Sequence, residues 1–140
     1  MTMFSKRRWY ILGSISLSLA ASLLMVRWAI TNAIAAQPVI IKMLDTPASF
    51  EPKTVTVSPG TTVEWQNVGN SVHHATDNPE MAINGADVAS PDGAPFDSGF
   101  MRPGETFTHT FTKPGVYKYA CVVHEASGMI GEVIVKSPQG

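Results

Sequence analysis

Three Pro-Gly pairs, Pro59-Gly60, Pro103-Gly104 and Pro114-Gly115, punctuate the chain between residues 54 and 136. Proline has no N–H to donate and a fixed φ, while glycine accepts a positive φ, so each pair stops a regular element and turns the chain. Between and around them apolar and polar residues alternate, as in Thr54-Val55-Thr56-Val57, Thr62-Val63-Glu64-Trp65-Gln66 and Thr106-Phe107-Thr108-His109-Thr110-Phe111. A period of two sends successive side chains to opposite faces, which makes these segments strands with one buried face. Val39–Leu44, Val116–Ala120 and Gly131–Lys136 are β-rich runs of the same kind, and Val72–Thr76 is a short candidate strand. Thr54–Val57 and Thr62–Gln66 are expected to form a hairpin-like pair across Ser58-Pro59-Gly60, with Phe50-Glu51-Pro52 opening a turn region before them. Short strands split by turns imply an all-β sandwich or barrel. The stretch from Asp77 to Ser98 holds three prolines, four aspartates and no sustained period. It is expected to be either a solvated excursion or a surface for a partner, with a short helix over Glu80–Val88.

Charge divides the chain. Four of its ten basic residues fall in the first 35 positions and none of its eleven acids do. Lys6-Arg7-Arg8, the apolar run Trp9 to Val26 and the small-x-small triplet Ala33-Ile34-Ala35 have the order of an export signal cleaved before Ala36. The expected organisation is a signal segment over 1–35, or an uncleaved membrane anchor, followed by one domain over 36–140. The absence of cysteine from the first 35 residues rules out a lipoprotein signal, and Arg7-Arg8 loosely resembles a twin-arginine one. The destination is then a periplasm or a thylakoid lumen. Residues 36–140 hold six Lys and Arg against eleven Asp and Glu, a formal charge of −5 with histidine neutral. Nucleic acid needs a basic footprint and is excluded on that ground, whereas a cationic protein partner is not.

Cys121 is the single cysteine. It has no disulfide partner in the chain, and one thiolate does not make a Cys-rich zinc or iron–sulfur site. It stands in the spacing Cys121-x2-His124-x4-Met129. A thiolate, an imidazole and a thioether on one short loop are soft or borderline donors, suited to copper rather than to magnesium or calcium. A blue-copper centre adds a second imidazole. His73, His74 and His109 are the candidates. Neighbours on a strand face opposite ways, so His73 and His74 are not expected to turn inward together. His109 shares the face of Phe107 and Phe111 and reads as a residue of the core or its edge.

The whole of residues 36–140 resembles the plastocyanin/azurin family of cupredoxins. The likeness runs through Phe50-x-Pro52-x2-Val55-x-Val57-x2-Gly60-x2-Val63-x-Trp65-x-Asn67 and His73. It continues through Phe107-x3-Phe111-x2-Pro114-Gly115-x-Tyr117-x3-Cys121-x2-His124-x4-Met129-x-Gly131-x-Val133-x-Val135. The resemblance implies a Greek-key cupredoxin sandwich with one copper ion held by His73, Cys121, His124 and Met129. In such a set the thiolate makes the short bond and gives the colour, the imidazoles complete a plane, and the thioether binds weakly and tunes the potential. The His74 backbone N–H and the Asn67 side chain are candidate outer groups. It further implies a monomeric carrier of single electrons rather than an enzyme, with redox protein partners of the cytochrome, oxidase or photosystem type and His124 as the electron port. A copper carrier or chaperone on the same fold is the alternative, and a red-copper enzyme would need an open position that Met129 closes. Two residues depart from the family pattern: Val123 replaces a common proline, and Glu125 follows His124. A carboxylate beside the port is expected to act on partner encounter, so that Glu125→Gln changes on-rate more than the visible spectrum. Met81 and Met101 receive no role.

Overall fold

A computed structural model describes residues 36–137; the expected signal segment over 1–35 lies outside the described residues. Among the described residues, seven strands form two sheets. They are β1 (Val39–Asp45), β2 (Ala48–Glu51), β3 (Thr54–Val57), β4 (Thr61–Asn67), β5 (Thr106–Phe111), β6 (Gly115–Ala120) and β7 (Ile130–Val135). One sheet runs β2-β1-β4-β5 and the other β3-β7-β6. The fold is the expected all-β sandwich.

The core lies between the sheets because each alternating strand turns its apolar set inward. Ile41, Met43, Val63, Trp65 and Phe111 come from one sheet, and Val55, Val57, Tyr117, Tyr119, Val133 and Val135 from the other. Trp65 is fully buried at the centre, edge-on to Tyr119 across the sandwich at 5.3 Å between ring centres and 5.0 Å from Phe96. A Trp at this point buries more apolar surface than any other side chain and fixes the sheet separation.

Four local expectations are corrected. β3 and β4 do not pair as a hairpin: β3 runs parallel to β7, and β4 lies between β1 and β5. The Pro59-Gly60 turn carries the chain from one sheet to the other, with Gly60 at φ 88° donating its N–H to Phe111. Alternation reports that a face is buried, and both strands have one; it does not report which sheet they join. Phe50 and Glu51 end strand β2 rather than open a turn, paired to β1 through Met43↔Phe50. Of the expected helix over Glu80–Val88 only one 3-10 turn exists, Gly85–Asp87, capped by the Asn84 side chain. Val72–Thr76 is extended but makes only isolated bridges, His73 to Met101 and Thr76 to Asp97 and Ala120.

Topology brings distant segments to one end. β1 and β4 are parallel, so Asp45 and Asn67 leave the sheet on the same side. The Thr76–Ala120 bridge ties that side to the point where β6 ends and Cys121 begins. Met129 precedes β7 there.

Candidate metal centre

The loop between β6 and β7 is a closed turn built on its own backbone. Cys121 donates its N–H to the Met129 carbonyl, while the His124 and Met129 N–H groups return to Cys121 and His124 carbonyls. Gly128 takes φ 83° to close it, a conformation that disfavours any side chain. The Cys-x2-His-x4-Met spacing is thus the length of one self-bonded loop. It leaves Cys121 and Met129 fully buried and His124 partly exposed.

His73 arrives from the other sheet. Its N–H and C=O both bond to Met101, and the buried Asn67 side chain donates to the Met101 and Ser71 carbonyls and accepts from Gly69. Asn67 therefore holds the loop that presents His73, rather than touching the thiol. The His73, Cys121 and His124 donor atoms lie within 4.8 Å of one another. Cys121 Sγ is 3.5 Å from His124 Nδ1 and 3.9 Å from His73 Nδ1, and the two rings are 4.8 Å apart. Met129 is buried beside them in sequence and in the loop's hydrogen bonds. His109 is separate, packed on Phe96 and Phe111 at the core edge.

His73 and His74 are both fully buried. They diverge as strand neighbours do: His73 turns to Cys121, and His74 places Nε2 2.7 Å from Asp97 Oδ1 with its ring against Phe100. Asp97 is the polar group that faces the buried His74 ring. Burial lowers the His74 pKa and Asp97 opposes this.

Electrostatics inside the site follow from burial. Burial pushes the Cys121 thiol up, against the pull of the His74, His124 and Val123 N–H groups, with Glu125 pushing the same way as burial. His124 is lowered by burial and then by the His73 ring, with Asp45 opposing. A cation entering here would meet a thiol that needs its charge to ionise and, in His124, an imidazole whose neutral, ligating form burial favours. One sulfur and two imidazole nitrogens converging in a buried pocket, with a thioether on the same loop, fit a copper ion.

One carboxylate escapes the sequence reading and another is placed wrongly by it. Asp45 at the end of β1 sits 2.9 Å from His73 Nε2 and accepts the Asn70 and Ser71 N–H groups. Those contacts, Asn70 foremost and then His73, hold its carboxyl below the usual range. Nothing in the sequence sets Asp45 apart from other acids. Glu125 was expected at the surface beside the port; it is 5% exposed and turned inward, accepting the Ile83 and Asn84 N–H groups at 2.8 Å each. It is a strut between the metal loop and the 77–98 segment, which corrects its expected role in partner encounter. The 77–98 segment itself is anchored: Asp77 is buried, and its Oδ1 accepts the Phe96 N–H.

A profile of copper binding proteins, plastocyanin/azurin family, matches residues 39–136. The chloroplastic plastocyanin of Oryza sativa subsp. indica is 30% identical over 123 residues, 88% of this chain and 75% of that protein. That of Tetradesmus obliquus is 34% identical over 87 residues, 62% of this chain and 58% of the relative's length. The Cu-containing nitrite reductase from Thermus scotoductus SA-01 superposes with a TM-score of 0.57 at 32% identity, over 76% of this chain and 24% of that one. The likeness to the reductase is thus confined to about a quarter of its chain.

Proposed function

Because the chain belongs to the plastocyanin/azurin family of copper-binding proteins, we propose that it carries single electrons between redox proteins and catalyses no reaction of its own. The observation that carries this reading is the buried convergence of His73, Cys121 and His124 with only one ring, that of His124, partly exposed. When bound, copper supplies a one-electron couple between Cu(II) and Cu(I). The residues do the rest. Cys121, His73 and His124 hold the ion and Met129 is its weak fourth ligand. The His74, His124 and Val123 N–H groups stabilise the thiolate. The closed 121–129 loop and the Met101 bridge keep the donors in place in both redox states, which limits reorganisation.

His124 is the electron port. Exposed apolar residues stand next to site residues in the chain: Val72 before His73, Val123 before His124, and Phe100, 67% exposed, before Met101. Exposed apolar side chains at an encounter surface exclude water while leaving the encounter weak and reversible, as a shuttle requires. The partner is a redox protein of cytochrome, oxidase or photosystem type, and the acidic domain favours a cationic face on it. The protein acts as a monomer after export to a periplasm or thylakoid lumen, with residues 1–35 as the signal and 36–140 as the working domain; the mass of the exported protein tests the cleavage before Ala36.

The test is the visible and EPR spectrum of the full chain loaded with Cu(II), beside Cys121→Ser. An intense red-absorbing charge-transfer band with narrow copper hyperfine splitting, both lost in the variant, is expected. Weak colour and an ordinary tetragonal signal in the wild type would overturn the reading. Slow loss of copper to a competing chelator is expected as well, and rapid loss would favour a copper carrier instead.

A further inference from the structure

We propose that Asp45 tunes the metal centre: its carboxylate fixes the tautomer of His73 and sets a negative charge behind that imidazole, biasing the site toward Cu(II). The inference rests on the copper reading above.

Two backbone N–H groups and one ring nitrogen of His73 converge on the two oxygens of Asp45. Asn70 donates to Oδ2 at 2.5 Å, Ser71 to Oδ1 at 3.3 Å, and His73 Nε2 meets Oδ1 at 2.9 Å. A carboxylate already bound to backbone donors is an acceptor, so Nε2 is the nitrogen that carries the proton. Nδ1 then keeps its lone pair, and Nδ1 is the atom that faces Cys121 Sγ. The loop is built around this group. A Cβ on Gly69 would run into the Asp45 carboxylate, so the close approach requires glycine there. His73 is fully buried and the Asp45 side chain is 22% exposed, so solvent screens the pair only in part.

The two imidazoles are therefore unequal. Among the described residues no carboxylate is hydrogen-bonded to His124, whereas His73 has one across its ring. A carboxylate on the far nitrogen makes an imidazole a more basic ligand. A more basic ligand with a fixed anion behind it stabilises the more highly charged oxidation state, so Asp45 lowers the reduction potential. No proton needs to move for this effect; the charge is present in both redox states.

Asp45→Asn removes the charge while its amide oxygen can still accept from His73; Asp45→Ala removes both. In the copper-loaded full chain we expect Asp45→Asn to keep the charge-transfer band. At a fixed applied potential it should raise the Cu(I) to Cu(II) ratio by about tenfold, a shift of about 59 mV for a one-electron couple. A retained band with a ratio unmoved or lowered would overturn the proposal and leave the electron-carrier reading intact. A wild-type protein without the band would remove both. Nitrogen-15 NMR of the copper-free wild type provides a second readout that needs no variant to fold. His73 should be protonated at Nε2 alone, and Asp45→Ala should give a mixture of tautomers. Protonation of wild-type His73 at Nδ1 would refute the assignment.

Discussion

At the scale of single residues, the carboxylates distinguish this chain, because burial turns each into a commitment. Glu125, itself buried, accepts the N–H groups of Ile83 and Asn84, two exposed residues. Glu125→Ala removes both hydrogen bonds, which costs about 1 kcal/mol for each, because water can reach the freed donors. The expected outcome is a lower denaturation midpoint of the copper-free protein and faster hydrogen exchange at those two amides, with the rest of the core unchanged. Asp77 runs the other way. Burial raises its pKa to about 6 from an ordinary 3.8, and its Oδ2 has no hydrogen-bond partner. A pKa raised on folding means that the neutral acid is preferred inside. Its stabilising contribution is present below pH 3.8 and lost as pH rises through 6. Asp77→Asn keeps an acceptor for the Phe96 N–H and has no charge to bury. Its stability relative to wild type should climb between about pH 4 and 6 and then level off, gaining at most about 3 kcal/mol. Denaturant midpoints of both proteins at pH 4, 5, 6 and 7 check this, and a constant difference across the series would refute it.

At the scale of elements, legibility tracked sequence distance. Cys121, His124 and Met129 are readable because nine consecutive residues contain them and their loop closes on itself. Strand cores such as Val63/Trp65 and Val55/Val57 are readable because period two marks the inward face. Pairing partners are not readable, since β1 with β4 and β3 with β7 join segments with no turn between them that would signal it. The false hairpin across Pro59-Gly60 came from that gap. His73 was separable from His74 through family register, and strand alternation correctly sent the two rings apart even though both ended up buried. Asp45, 28 residues from His73, could not be seen at all. One pairing exposes a sequence feature with a firm cost. β6 and β7 align Tyr119 opposite Gly131, and a Cβ on Gly131 would overlap the Tyr119 ring and hydroxyl. Gly131→Ala should therefore destabilise by about 1–3 kcal/mol through overpacking, read as a fall in urea midpoint. Tyr119→Phe in the same chain should recover part of that loss, because it removes one of the overlapping atoms; additive losses would show that the hydroxyl is not what the methyl meets.

At the scale of the molecule, an acidic body with the metal centre at one end makes a prediction that needs no knowledge of the partner. On the proposed reading, two copies exchanging an electron bring their His124 ends together, and both molecules carry the same negative net charge. Like charges separated by solvent repel less as salt rises. Self-exchange in an equal mixture of oxidised and reduced protein, measured by NMR line broadening, should therefore accelerate with ionic strength. Where charge matters can be isolated. Val123→Asp adds a negative charge on the exposed residue before His124. Thr112→Asp adds the same charge at the β5–β6 turn, the opposite end of the sandwich from the point where Glu105 meets Asn67. Net charge changes equally in the two. If His124 is the port, Val123→Asp should slow low-salt self-exchange by about tenfold, the lower end of electrostatic effects on encounter, and added salt should restore much of it. Thr112→Asp should leave it nearly unchanged. Equal slowing by the two substitutions would mean that repulsion acts on the molecule as a whole and that electrons do not leave through the His124 end.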